Sequence, residues 1–428
     1  MDDLWGDSAL GESERAWLKR TPLSGDYPGI TVGMTLARAL SAVALLALLA
    51  ACAPPGSKQV SSLLTHRPAH SSPSPRHSVQ VSPSASVPPG APGSIEAFVP
   101  EAESFVEGHR GLKFKSPVKV DHLSDADFGK RIAEVQAKDH ADLDREAKLL
   151  RALDLVKRGV DVEKAYEALL SGAVIGYYDP ATKELVVRGD TANAAVRHVI
   201  VHELTHALQD QWFDLLTHQK NLTDDEGEAY TALVEGDAVT VENAYIATLS
   251  KADKDEIASQ SGGPIPADVP PVLIRILSFP YSVGPPFVVA LRTSQGQSAL
   301  DQAFQTPPRA STLVIHPARF LGGETPKPVD EPAADGPTFD KGVWGEVGLN
   351  LILNDLYSGG AVAGDVQTAT SDWGGDRYVA WTSGDQYCVR LSYASRDDQS
   401  ASTLQRVLAA WAKKHGAQAD GLKLTRCG

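Results

Sequence analysis

From residue 94 onward, apolar positions recur with helical spacing in some stretches and alternate with polar ones in others, and the changes of period mark out the elements. Residues 94–110 (SIEAFVPEAESFVEGHR) predict a helix. LKFKSPVKVDHL, residues 112–123, alternates and predicts a strand. Ser124 stands where it can cap the next helix, in which Phe128, Ile132 and Val135 share a side. Another helix covers 141–157 around Leu143, Leu150, Leu153 and Val156, and Asp161 caps a short one that ends near Gly172. Residues 173–190 hold two β-rich runs on either side of the turn sequence DPATK, which predicts a hairpin. A helix at 192–217 follows. Between its Val199 and Leu208 the one charged residue is Glu203. A surface helix carries a charged face, so this one is expected to be buried. A second long helix spans about 225–250, interrupted by Gly236 at a cost of about 1 kcal/mol relative to alanine.

Beyond Lys251 the pattern changes. Residues 260–286 are rich in Gly and Pro and read as a boundary between two subdomains, with one helical piece at 271–278. Residues 287–305 read as helix, 306–337 mostly as loop, and 344–357 as helix. DRYVAWT and QYCVRLSYA form an expected hairpin. A helix near 400–415 carries Leu404, Val407, Leu408 and Trp411 on one face and ends before Gly416, and GLKLTRC reads as a third strand. The fold class is α+β. The folded part divides into 94–255 and a C-terminal subdomain, 256–428, that completes a cleft.

The first 93 residues have another character. Residues 1–33 are mixed and acidic, and read as a disordered leader or a gene-start artefact, with translation beginning at Met34. Residues 34–51 have the build of a signal peptide: Arg38 near the start, then an apolar core from about Leu40 to Ala51. That core is shorter than the roughly 20 residues needed to cross a bilayer. It runs into Leu49-Ala50-Ala51-Cys52, which resembles the lipobox of bacterial lipoproteins and implies lipid on Cys52. Residues 52–93 are rich in Pro and Ser and lack the apolar content to bury a core, as a tether would. The protein is therefore expected outside the cytoplasm, held to the bacterial cell membrane by the lipid. A net charge of −14 argues against nucleic acid as a partner. The two remaining cysteines, Cys388 and Cys427, are expected to form a disulfide pinning the last strand to its hairpin, worth about 3–4 kcal/mol.

The buried helix carries His202, Glu203 and His206 in the pattern H-E-x-x-H. Residues four apart on a helix project from one face, so both imidazoles can reach one Zn²⁺, with Glu203 as general base on a metal-activated water. A third protein ligand is needed. Glu228, Glu235, Glu242, Asp237 and His198 are the candidates. Here the chain resembles the gluzincin class of zinc metallopeptidases, in which a second helix supplies a glutamate ligand, followed in one branch by Gly-x-Ala. Glu235-Gly236-Asp237-Ala238 fits that pattern, with twenty-eight residues between His206 and Glu235. The resemblance thus implies a zincin-like domain, Glu235 as third ligand with Glu228 in reserve, one zinc ion, and peptide or protein substrates. It also implies an edge strand above the metal, for which 173–189 is positioned, and gives Gly236 the task of bringing the two site helices close. The spacing departs from the aminopeptidases, and no G-x-M-E-N-like signature occurs. The 94–428 region is also similar to uncharacterised bacterial lipoproteins bearing H-E-L-T-H-A-L-Q-D, a likeness that implies no substrate. His198 reads as structural; Asp210, Asp237 and Asn243 could orient a ligand or face solvent. Tyr281, His316, Arg377 and Tyr378 are the candidates for an oxyanion donor. The alternative to an enzyme is a non-catalytic zincin-fold surface lipoprotein acting as a binding or assembly module.

Overall fold

Helix α1, Ile95–Arg110, begins where the Ser94 side chain accepts from the Ala97 amide and ends at Gly111 in the left-handed region. The computed structural model describes residues 93–136, 140–170, 174–260, 266–357 and 362–428. The leader, the signal-like segment, the tether up to residue 92 and Cys52 lie outside the described residues. Strand β1 is Lys119–Leu123, shorter than the alternation suggested. Helices α2 (Asp125–Gln136), α3 (His140–Ala152) and α4 (Val162–Leu170) follow. Ser124 and Asp161 cap α2 and α4 as expected, accepting from the amides of Asp127 and Lys164. The hairpin is β2 (Gly176–Asp179) and β3 (Glu184–Arg188). β1 joins β3 in parallel, so the sheet order is β1-β3-β2 and β2 is an edge.

Two helices follow the hairpin. α5, Ala194–Phe213, is capped by Asn193. α6, Asp224–Thr248, starts at a reciprocal capping box between Thr223 and Glu226. α5 is buried along almost its whole length: Ile200, Val201, Leu204 and Leu208 pack with Leu185 and Val187 of β3 and Ile95 and Val106 of α1. That placement accounts for the scarcity of charge between Val199 and Leu208.

The Gly/Pro-rich stretch behaves differently from its sequence. After α7, Lys251–Gln260, a single helix α8 runs from Pro271 to Gln295 through Pro280, Pro285 and Pro286. An internal proline removes a helical hydrogen bond and typically costs about 3 kcal/mol or more. Burial of Val272, Leu273, Ile276, Leu277, Phe287, Val288 and Leu291 offsets that cost and keeps the helix whole. α8 crosses α6 where Gly284 meets Gly236: a Cβ on Gly236 would lie 2.2 Å from the Gly284 carbonyl carbon. The close approach foreseen at Gly236 is therefore real, but its partner is α8 and not α5.

The C-terminal part begins with α9, Gln297–Gln305, and two short helices, Ser311–Ile315 and Pro317–Leu321, within the stretch read as loop. It continues through β4 (Thr338–Gly342), α10 (Gly345–Leu353), α11 (Ala363–Ser371), β5 (Trp373–Ser383), β6 (Gln386–Ser395), α12 (Asp398–His415), β7 (Gln418–Asp420) and β8 (Lys423–Cys427). The second sheet is antiparallel in the order β4-β5-β6-β8-β7. β4 and β7 are additions to the expected three strands. Cys388 and Cys427 face each other across β6 and β8 and are joined as a disulfide. The two sheets and the helices between them make an α+β fold.

Asp225, at the start of α6, links the two parts. Its Oδ1 accepts from the Ser311 amide at 3.0 Å, and its own amide donates to the Val343 carbonyl. Burial, reinforced by the Asp376 and Glu346 carboxylates, raises its carboxyl to about 8.

Two predictions follow from this packing. Gly236→Ala drives a methyl into the α8 backbone and should destabilise the fold by about 1–3 kcal/mol in urea denaturation; unchanged stability would show that the crossing is loose. Asp225 holds a proton in the folded state that the unfolded chain releases near the ordinary carboxylate value of about 3.9. Stability from this group is thus present below that value and lost as pH rises toward about 8. Asp225→Asn should remove the loss, so its urea midpoint relative to the wild type should improve steadily over that range. A difference independent of pH would contradict this.

Candidate metal centre

His202 and His206 stand one turn apart on α5, and their Nε2 atoms are 3.1 Å from each other. Glu235 reaches in from α6, with Oε2 3.2 Å from His202 Nε2 and Oε1 3.5 Å from His206 Nε2. The three residues are 4%, 2% and 0% exposed. Among the described residues this is the one group of His, Cys, Asp and Glu side chains whose donor atoms converge in a way that could hold a metal ion.

The outer nitrogens determine what the inner ones can be. Gln209 Nε2 donates to the Val234 carbonyl at 3.1 Å and to Asp237 Oδ2 at 2.9 Å. Its Oε1 is thereby turned to His206 Nδ1, 2.9 Å away, and only an N–H there satisfies it. Asp237 is held in turn by Arg110 Nε at 2.7 Å, both side chains being buried. On the other histidine, Glu242 Oε2 accepts from His202 Nδ1 at 2.9 Å, while its Oε1 takes His198 Nδ1 at 2.6 Å. Both site histidines therefore carry their proton on Nδ1 and present Nε2 lone pairs toward each other and toward Glu235.

Three electron-rich atoms facing each other in a buried site repel unless positive charge lies between them. The pocket draws in protons accordingly. Burial opposes a charged His202, but hydrogen bonds with Glu235 and Glu242 outweigh it and raise its pKa well above the usual value. Burial alone would raise Glu235; the charge of His206 and the hydrogen bonds from both histidines bring it down to about 2. A divalent cation answers the same need. Donors sharing a tetrahedral zinc at about 2.0–2.1 Å stand about 3.3 Å apart. The observed 3.1, 3.2 and 3.5 Å bracket that spacing. The donor set of two imidazoles and one carboxylate, each imidazole fixed from behind, fits a zinc site.

Glu203 lies beside the cluster, 1% exposed. Its Oε2 accepts from the Tyr178 amide on β2 at 2.7 Å, and its Oε1 has no hydrogen-bond partner. Burial pushes its carboxyl up to about 7. The Ile175 carbonyl accepts from the Arg188 amide, so alternation along the antiparallel pair turns the main chain of Gly176 and Tyr178 away from β3 and toward α5.

The other sequence candidates separate by position. Tyr281, on α8, is the oxyanion candidate that reaches the cluster. Its hydroxyl is buried beside Glu235. Burial and the charges of Glu235, Glu203 and Glu242 raise its pKa well above 10. His316 instead pairs with Glu346 at 2.9 Å, Tyr378 Oη lies 2.6 Å from Asp224 Oδ2 and 2.9 Å from Asp340 Oδ2, and Arg377 follows the buried Asp376 on β5. His198 supports Glu242, as a structural histidine should. Asp210 is buried and orients no histidine; its Oδ2 takes the Tyr178 hydroxyl at 2.7 Å and Lys183 Nζ at 2.5 Å, which locks the hairpin to α5. Asn243 is exposed. Glu228 lies outside the three-donor cluster.

Gln209, Arg110 and the Tyr178 amide were not foreseen. Gln209 is three residues after His206, a spacing that places it on the same helix face, so a signal for it existed. Arg110 and Tyr178 come from distant elements and leave no local trace. Gln209→Ala should weaken zinc affinity about 10–100-fold in a chelator competition, because the His206 ring loses its anchor; an unchanged affinity would remove Gln209 from the site. No family model matches the chain, and neither does any curated protein or solved structure.

Proposed function

We propose that this cluster is the active centre of a zinc-dependent peptidase of zincin-like fold. The observation that carries the reading is the pairing of a three-donor pocket with an adjacent glutamate, one of whose oxygens is anchored while the other is left without a partner. His202 Nε2, His206 Nε2 and Glu235 would hold the ion, and zinc bound there would acidify a water and polarise the scissile carbonyl. Glu203 Oε1 takes the proton of the attacking water and passes it to the leaving amine. The Tyr178 amide keeps Glu203 aimed during both transfers. Tyr281 Oη donates to the oxyanion as charge develops on it. Its buried hydroxyl and its place beside Glu235 support that role. The main chain of Gly176, turned away from β3 on edge strand β2, supports pairing with an extended peptide. A lipidated Cys52 and the Pro/Ser-rich tether would hold the enzyme outside the cytoplasm at the membrane, within reach of peptide or protein substrates.

The burial of all three donors favours the rival reading, a zincin-fold lipoprotein that binds without cutting. The unpartnered Glu203 oxygen has no use in such a module.

Glu203→Gln should keep stoichiometric zinc and lose hydrolysis of a peptide library by about 10²–10⁴-fold. Ordinary turnover by that variant would refute the mechanism. Tyr281→Phe should keep zinc and lower kcat by about 10²–10³-fold, with KM little changed. Full activity in that variant would exclude Tyr281 as the donor.

A further inference from the structure

Glu228 stands seven residues before Glu235 on α6, nearly in line with it and about 10.5 Å toward the helix N-terminus. It is 6% exposed, and its Oε1 is fully shielded and without a partner. Other buried carboxylates of the same helix are engaged: Asp225 by the Ser311 amide, Asp237 by Arg110 and Gln209, Glu242 by His198 and His202. Glu146 of α3 lies near enough for the two carboxylates to act on each other; its Oε1 accepts from the Tyr166 hydroxyl at 2.8 Å. The charged groups acting on this pair are Asp224, Asp225 and each other, all of one sign. Burial therefore raises Glu228 well above the ordinary carboxylate range and Glu146 to about 7. These carboxylates do not form a second metal cluster among the described residues.

A buried acid with no partner, on the helix face that carries the metal ligand, has the character of a recognition group whose counter-ion arrives with the substrate. We propose that Glu228, assisted by Glu146, is a specificity subsite for a cationic group of the substrate, either a lysine or arginine side chain or a free N-terminal ammonium. This deepens the peptidase reading and rests on it. An extended peptide advances about 3.3–3.4 Å per residue, so the subsite lies about three residues of chain from the metal. A basic side chain one or two positions from the scissile bond spans that distance, as does an N-terminus about three positions away.

The test uses the zinc-loaded full chain and peptides that place lysine, arginine or norleucine at each position around the cut, with free and acetylated N-termini. The wild type should cleave the best cationic peptide at least about tenfold faster in kcat/KM than its norleucine counterpart. Glu228→Gln should bring that ratio close to one. Glu146→Gln, at a less buried position, should lower it as well and serves if the first variant fails to fold. Preference that survives acetylation assigns the site to a side chain; preference that acetylation abolishes assigns it to the ammonium. Cleavage with the same ratio in wild type and both variants, or with no cationic preference at all, overturns the subsite and leaves the peptidase reading standing. Binding to Glu203→Gln, followed by fluorescence anisotropy, separates the converse case. Cation-selective binding that Glu228→Gln abolishes, in a protein whose wild type cuts nothing, supports the subsite and sinks the peptidase.

Discussion

The convergence of two imidazole lone pairs and a carboxylate in a buried cluster is the constraint around which the surrounding structure is arranged. Left alone, those atoms repel. They remain together because each is held from behind: His202 by Glu242, His206 by Gln209, and Gln209 by Asp237, which Arg110 fixes from α1. The arrangement stores a demand for positive charge, which protons meet in part and a divalent ion would meet with better geometry. The Gly236–Gly284 crossing belongs to the same construction, since it sets α8 directly against the residue after Glu235 and brings Tyr281 to the cluster.

Carboxylates along α6 then divide by what surrounds them. Glu235 is held ionised by the histidines, and Glu242 is held ionised by His198 and His202. Asp225 and Glu228, nearer the helix start, meet other acids and are pushed toward the neutral form. One helix thus carries charge at the His202–His206–Glu235 cluster and suppresses it toward the opposite end, purely through the neighbours it is given.

Much of this was legible in the chain. H-E-x-x-H within a stretch whose one charged residue is Glu203 announces a buried donor pair, and the glutamate followed by glycine on the next long helix announces its complement, because both signals are local and periodic. α8 was read as pieces because Pro280, Pro285 and Pro286 are breakers by propensity, and only the tertiary burial of their neighbours overrides that tendency. Strand β4 carries no signal of its own in the sequence because TFDKG is short and pairs with β5 from a distance, with no hairpin turn to announce it. Arg110, Tyr178 and the role of Asp210 depend on which distant elements meet, which periodicity does not encode. Gly236 marks a site of close approach, yet the partner expected for it, the H-E-x-x-H helix, is the wrong one, since nothing in a helical glycine says which neighbour fills the missing Cβ.

Zinc K-edge X-ray absorption on the loaded protein tests the metal centre most directly. One zinc per chain, coordinated by two imidazole nitrogens and oxygen with no sulfur, and lost when His202 is replaced by alanine, is the expected result. A folded protein that takes up no zinc, or one whose zinc is bound without imidazole, would contradict it.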